Sequence, residues 1–257
     1  MLIIVPPSES KRAPSEDGAP VDLETLSFPV LTPLRRRIVD SVMATSAQPD
    51  AFARLHARLS MAPEVIRNTW LSEVPAMPAF DVYTGPLHEG LDVGGLSGAA
   101  SELADRRLVV VSPVWGALRT RDRIPPYRVH VCARLTGIGR LEPAWRTALP
   151  AVLAEAAGGA GVIVDLRSPM VQAMGMPQGL GGRTVILRVD QGPAGRRIGG
   201  VVAKRVRGEA AHHLLESGAT PADAHALADV LGSRWPVRLD RPESPDGPWI
   251  LTLSVEG

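Results

Sequence analysis

Apolar and polar positions divide the chain into an opening strand, a helical first third and a mixed remainder. Leu2-Ile3-Ile4-Val5 is an unbroken apolar run stopped by Pro6-Pro7, which predicts a short buried strand. Ser8 to Pro20 is polar and reads as a loop. Thr32-Pro33 is a helix N-cap followed by proline at the first helical position. The helix it opens sets Leu34, Ile38 and Val42 on one face and leaves Arg35 and Arg36 elsewhere, so Arg35-Arg36-Arg37 reads as a solvated charge run. Pro49 opens a second amphipathic helix with Phe52, Leu55 and Leu59 inward, and a third is expected from Pro63 to Trp70.

Further along, Leu108 to Val111 and Val162 to Val164 are β-branched apolar runs and predict two more buried strands. Tyr127 to Val131 alternates and predicts another. Glu142 to Ala157 has helical spacing and stops at Gly158-Gly159. Val185 to Leu187 and Ile198 to Val206 predict a hairpin across Gly192-Pro193, with a helix following from Arg207 to Leu215. Thr220-Pro221 opens a helix that runs to Leu231, and Trp249 to Val255 is a closing strand. There is no internal repeat and no long low-complexity linker. The expectation is an α+β fold, one domain over residues 1–257, with a mixed β-sheet surrounded by helices.

Composition supports this and adds little about partners. The 257 residues are 45% hydrophobic, enough for a core, but only 4% aromatic, so aliphatic side chains and Ala must build it. The N-terminus lacks the basic region and small-residue cleavage site of a signal peptide, and no apolar run is long enough to span a bilayer. Cys132 is the single cysteine, which rules out an intramolecular disulfide. These features predict a reduced, cytoplasmic protein. The net charge of +1 selects no partner. The basic residues are nearly all Arg, which suits bidentate contacts to carboxylate or phosphate and equally reflects a GC-rich genome.

The standard site motifs are missing. No glycine-rich loop ends in Gly-Lys-Ser/Thr, and Gly179-Leu180-Gly181-Gly182 precedes a strand, not a helix. His56, His88, His130, His212, His213 and His225 have no ligand-like spacing, so neither a metal nor a cofactor is expected. Ser97 is not in a nucleophile elbow, and Cys132 reads as a buried, inert thiol in a strand.

Four polar segments stand out, each near a predicted strand: Pro6-Pro7-Ser8-Glu9-Ser10-Lys11; Phe80-Asp81-Val82-Tyr83-Thr84-Gly85; Ser112 to Arg128; and Ala203-Lys204-Arg205-Val206-Arg207-Gly208. Their order and spacing resemble the YaaA peroxide-stress family, as a divergent actinobacterial-type member, over nearly the whole length. The third segment, with Trp115-Gly116, Leu118-Arg119, Asp122, Ile124 and Tyr127-Arg128, is the most specific. The resemblance implies a compact α+β domain with a positively charged cleft, a role in limiting peroxide damage, and DNA binding through an element like a helix-hairpin-helix. It carries no catalytic mechanism. The chain departs from the family pattern at Ser10, Pro113, Cys132 and Val171. Pro113 replaces a hairpin glycine and lacks the N–H that a phosphate-binding hairpin would use, which weakens the DNA reading.

Two functions follow. The first is binding of DNA or another phosphate-bearing ligand in peroxide stress, with Lys11, Arg119, Arg121, Asp122, Tyr127, Arg128, Lys204 and Arg207 as the binding set. Arg119, Arg121, Arg123 and Arg128 around Asp122 would form an anion-binding face, with Trp115 and Tyr127 placed to stack on a base; the bland reading is a solvated loop with Arg–Asp pairs. The second is an enzyme acting on a small anionic or nucleotide-like substrate in the same cleft, with Glu9, Tyr83 and Lys204 as catalytic candidates, Glu9 or Tyr83 serving as acid or base, and Lys11, Lys204 and Arg128 binding the anion. Lys204 is expected on a strand face shared with Val202 and Val206. Glu9 and Lys11 share a face if extended, unless they form a simple surface ion pair. Trp145 and Trp235 are expected in the core. Direct iron sequestration is rejected, because no His, Cys or carboxylate spacing supports it.

Overall fold

In the computed structural model, which describes residues 1–15, 17–191 and 199–255, the apolar runs assemble into one seven-stranded mixed sheet. Its strands are β1 (Leu2–Val5), β2 (Leu108–Ser112), β3 (Gly116–Leu118), β4 (Ile163–Asp165), β5 (Thr184–Gln191), β6 (Val237–Asp240) and β7 (Trp249–Val255), in the spatial order β6-β7-β5-β4-β1-β2-β3. The five central strands run parallel, and only the edges β3 and β6 are antiparallel to their neighbours. Every residue of β1, β2 and β4 is buried, as parallel strands covered on both faces require. Two small antiparallel pairs lie outside this sheet: Met77–Pro78 with Arg123–Ile124, and Arg134–Leu135 with Gly139–Arg140.

The main helices are α1 (Thr32–Ser46), α2 (Ala51–Leu55), α3 (Ala62–Arg67), α4 (Pro86–Leu91), α5 (Gly98–Arg107), α6 (Leu141–Arg146), α7 (Leu149–Ala157), α8 (Gly200–Glu216) and α9 (Ala224–Gly232). The predicted helix over 142–157 is two helices, because Pro150 can sit only in a first turn. The second predicted helix ends early, at His56 in the left-handed region, and leaves Leu59 exposed. Asp223, not Thr220, caps α9, accepting from the backbone N–H groups of His225 and Ala226.

Two larger expectations are corrected. Residues 199–206, the described part of the second expected strand, do not form a hairpin with β5. From Gly200 onward the chain is helical, and Val206, Ala210, Ala211, Leu214 and Leu215 form its buried stripe. The alternation that suggested a strand came from the first turn, where Val201 and Val202 are exposed. The proposed turn at Gly192-Pro193 lies outside the described residues. Tyr127 to Val131 is buried but pairs with no strand; the side chain of Asn68 takes both backbone groups of Arg128, at 2.8 and 3.0 Å. Trp145 and Trp235 are buried as expected.

Arg35 is also corrected: it points inward on α1 beside Ile38, Val39 and Val42 and is fully buried. Its guanidinium donates to the carbonyls of Trp115, Ala117, Ser27 and Phe28 at 2.7–3.4 Å. Burial lowers its pKa to about 10, opposed by the charge of Asp122, so it remains charged. It satisfies carbonyls of the turn after β2, of β3 and of the segment before α1.

Helices α4 and α8 approach backbone to backbone. A Cβ on Gly90 would strike the Arg205 carbonyl, and one on Gly208 would strike the Leu87 carbonyl and the backbone of Gly90 and Leu91. The two glycines let the helices touch backbone to backbone. Gly208→Ala should therefore destabilise the fold by about 1–3 kcal/mol, lowering the melting temperature by roughly 2–4 °C per kcal/mol. Gly94→Ala, where a Cβ would meet nothing, should be near neutral. Calorimetry on both variants checks this.

Candidate functional site

β1 is the point at which the sheet divides. The connection leaving β1 leads to β2 on one side, whereas β4 joins on the other. At such a point in a parallel sheet the loops beyond the strand ends separate and leave a crevice. Pro6-Pro7 takes the chain out of the sheet directly after Val5. The result is a cleft of about 540 Å³, the size of a small-molecule site, lined by Pro6–Lys11 after β1, Pro113 after β2, Ser168 and Met170 after β4, Gly85–His88 of α4 and the preceding turn, Tyr127–Val131 without Arg128, and Lys204 and Arg207 of α8.

Lys11 is held in place by its backbone. It bridges to Tyr83, and the flanking bonds run from Arg12 N–H to the Val82 carbonyl and from Thr84 N–H to the Ser10 carbonyl. The ammonium donates to the Ser8 carbonyl at 2.7 Å and lies 4.2 Å from the centre of the Tyr127 ring, with Tyr83 at 5.7 Å. It does not pair with the Glu9 carboxylate and reaches only the Glu9 carbonyl, at 3.5 Å. Burial first, and the charge of Arg128 second, bring its pKa down to about 7, against the opposing pull of Glu9. Behind it a hydroxyl chain links Tyr83 to Tyr127 at 3.1 Å and Tyr127 to Ser112 at 2.8 Å. Burial raises the Tyr83 pKa to about 12 and lifts that of Tyr127 well above its usual value, so both phenols are neutral.

Glu9 faces the other way. Its carboxylate lies 3.3 Å from Arg128 Nη2 and 3.6 Å from His130 Nε2, and Arg128 also donates to the Glu9 carbonyl. His130 Nδ1 accepts from Cys132 N–H, which leaves the proton of the neutral ring on Nε2, toward Glu9. Arg128 opens into a second, smaller hollow with Arg12, Arg67 and Glu64, separated from the main cleft by Glu9, Ser10, Lys11 and Tyr127. Arg128 Nε is buried there without a partner.

On the main cleft's far wall, His88 Nε2 contacts the Pro6 carbonyl at 3.0 Å, an acceptor, so the ring proton sits on Nε2. His88 Nδ1 is then a buried lone pair with no partner. Burial lowers the His88 pKa to about 4, with the Pro6 hydrogen bond opposing and the charge of Lys11 assisting. Arg207, half-buried, ties α8 to the loop after β4 by donating to the Leu166 carbonyl at 3.1 Å. Burial depresses its pKa, and Asp165 opposes this. Lys204 is exposed at the lip, on a helix and not on the expected strand.

The structure thus gathers Glu9, Lys11, Tyr127, Lys204 and Arg207 around the main cleft, with Tyr83 behind it and Arg128 next door. It places Arg119, Arg121 and Asp122 elsewhere. Asp122 is buried and accepts from Ser27 N–H and Arg119 N–H, both at 2.7 Å, which fixes the loop. Arg119 donates to the Arg106 carbonyl and lies over the Phe28 ring; Arg121 pairs with Asp105. Trp115 and Tyr127 are 0% and 3% exposed, so neither offers a face for base stacking. Cys132 is half-buried and in no strand, with Sγ 3.5 Å from Met170 Sδ. Sequence reasoning missed His88, His130 and Ser112. His88 follows the second segment closely, and that proximity was its one available signal. No group of His, Cys, Asp and Glu among the described residues could hold a metal ion, and no helix among them is long and apolar enough to cross a membrane.

Fold and cleft together define an α+β protein with a ligand-sized crevice at the C-terminal ends of its parallel strands. The family model for peroxide stress protein YaaA matches residues 1–235, and the chain belongs to that family. It is 37% identical to a UPF0246 protein of Streptomyces coelicolor over 99% of this chain and 98% of the relative. It is 34% identical to one of Corynebacterium efficiens, covering 90% and 91%, and 31% identical to one of Corynebacterium glutamicum, covering 99% and 100%.

The His88 geometry gives a pH prediction. Its folded pKa lies below the unfolded value of 6.5, so between pH 6.5 and about 4 the unfolded chain binds more protons. This contribution to stability is complete above pH 6.5 and is lost as pH falls to about 4, to the extent of about 3 kcal/mol. Urea unfolding across that range should show a shallower acid decline in His88→Gln than in the wild type.

Proposed function

We propose that this chain binds a small anionic ligand, bearing phosphate or carboxylate, in the cleft beyond the ends of β1, β2 and β4, in the peroxide-stress setting that the family description names. One observation carries the reading: Lys11, Lys204 and Arg207 line a crevice of about 540 Å³ in which Glu9 is the one carboxylate among the lining residues, and Glu9 is turned toward Arg128 and His130. Cations from the loop after β1 and from α8 around a crevice with no opposing carboxylate suit an anion that supplies the missing charge. Two observations favour a small molecule over duplex DNA. The arginines around Asp122 are engaged with Asp105 and with backbone carbonyls. The turn at Pro113 to Gly116, where a DNA-binding hairpin would lie, is buried.

Calorimetric titration with inorganic phosphate and with nucleoside monophosphates tests this. Binding should weaken by roughly tenfold in Lys204→Ala, the loss of one charge-assisted contact, with the melting temperature unchanged. Binding that is absent in the wild type, or equal in the variant, overturns the reading. A short DNA duplex titrated at two salt concentrations is the companion arm. Steeply salt-dependent binding that phosphate does not displace would move the working surface outside the cleft.

A further inference from the structure

The chain has 28 lysines and arginines, and only Lys11 and Lys204 are lysine. Both line the same cleft. The cations that brace the fold are arginines: they hold backbone carbonyls, as Arg35 and Arg183 do, or pair with a buried carboxylate, as Arg167 does with Asp165. Arginine matches lysine as a charge and exceeds it as a hydrogen-bond fork. What arginine cannot supply is an amine that sheds its proton and offers a lone pair. The confinement of amine side chains to one crevice therefore points to amine chemistry there.

The two lysines differ in setting. Lys204 is exposed at the lip on α8. Lys11 lies deeper, its Nζ fixed at 2.7 Å from the Ser8 carbonyl and set against the Tyr127 and Tyr83 rings. No carboxylate among the described residues lies within ion-pair distance of it, since Glu9 is turned to Arg128 and His130. We infer that Lys11 is a nucleophile that forms an imine with an aldehyde or ketone, and that Lys204 and Arg207 hold an anionic group on the same molecule. This rests on the anion-binding reading above and names the substrate class. In the step, the Nζ lone pair attacks the carbonyl carbon and the carbonyl electron pair moves to oxygen, which takes one amine proton. The resulting carbinolamine expels that oxygen as water with the second amine proton, leaving the C=N bond, with no oxidant or reductant. A half-buried, poorly solvated setting and a neighbouring Arg128 keep a share of the amine unprotonated near neutral pH, against the influence of Glu9. The other charged or titratable groups facing the crevice are His88, His130, Tyr127, Lys204 and Arg207.

The full chain offers three amines, Lys11, Lys204 and the N-terminus, so the test resolves by site. The chain is incubated with pyridoxal 5′-phosphate, an aldehyde bearing phosphate, plus cyanoborohydride to fix any imine, and the adduct is mapped by mass spectrometry. At pH 7 the adduct should form on Lys11 at least tenfold faster than on Lys204. It should disappear in Lys11→Arg and persist on Lys11 in Lys204→Arg. Adduct formed equally on all three amines, or mainly on Lys204, overturns the inference directly on the wild-type protein. Inorganic phosphate separates the two proposals. Fast Lys11 labelling that phosphate does not slow keeps the nucleophile and removes the anion site. Slow Lys11 labelling, with phosphate still bound by calorimetry, removes the nucleophile and keeps the anion site.

Discussion

Everything at the cleft depends on β1 being the centre of a parallel sheet. A four-residue strand with parallel neighbours on both sides has no edge, so its continuation must leave the sheet. The polar segment after it cannot be absorbed into a ladder. Its backbone finds partners at Val82 to Thr84 instead, and this fixes Lys11 at the rim of a hydrophobic floor. The polar site is thus a by-product of where the core ends. The same constraint acts on β4, whose last residue, Asp165, is buried and must be neutralised on the spot by Arg167 two residues later, at 2.7 Å.

Arginine in this protein is largely a structural residue. Arg35 and Arg183 donate to sets of backbone carbonyls, and Arg123, Arg119 and Arg207 each donate to at least one. Irregular segments such as 113–116 and 158–161 carry carbonyls with no ladder partner, and the guanidinium fork reaches several of them at once. This explains why an arginine-rich motif turned out to brace loops through carbonyls and carboxylates more than to form a free cationic face. It also explains why net charge says nothing useful about the surface.

The strands were legible because a parallel core writes unbroken aliphatic runs, as in Leu108–Val111. The cleft loop after Pro6-Pro7 was legible because prolines mark where a strand must stop. Three things were not. Residues 200–206 show strand-like alternation only because Val201 and Val202 sit exposed on a first turn, and the true helical stripe starts at Val206. Tyr127–Val131 is as buried as a strand but takes its backbone partner from the Asn68 side chain, 60 positions away in sequence. Arg35 lies within a charge run, and no local pattern separates it from the solvated Arg36 and Arg37; its burial is decided by carbonyls about 80 positions away. His88 was missed for a similar reason, since its role comes from the Pro6 carbonyl across the cleft.

The backbone contact at Gly90 and Gly208 has a consequence for how tightly anything could be held. α4 carries one wall of the crevice and α8 carries the lip, and with no side chains between them the two helices cannot slide or roll independently. The backbones that carry Lys204 and Arg207 are therefore held at a fixed spacing from His88 before any visitor arrives. Little backbone conformational entropy remains to be lost on association, so the crevice acts as a rigid frame that selects by size, not by closing around what enters.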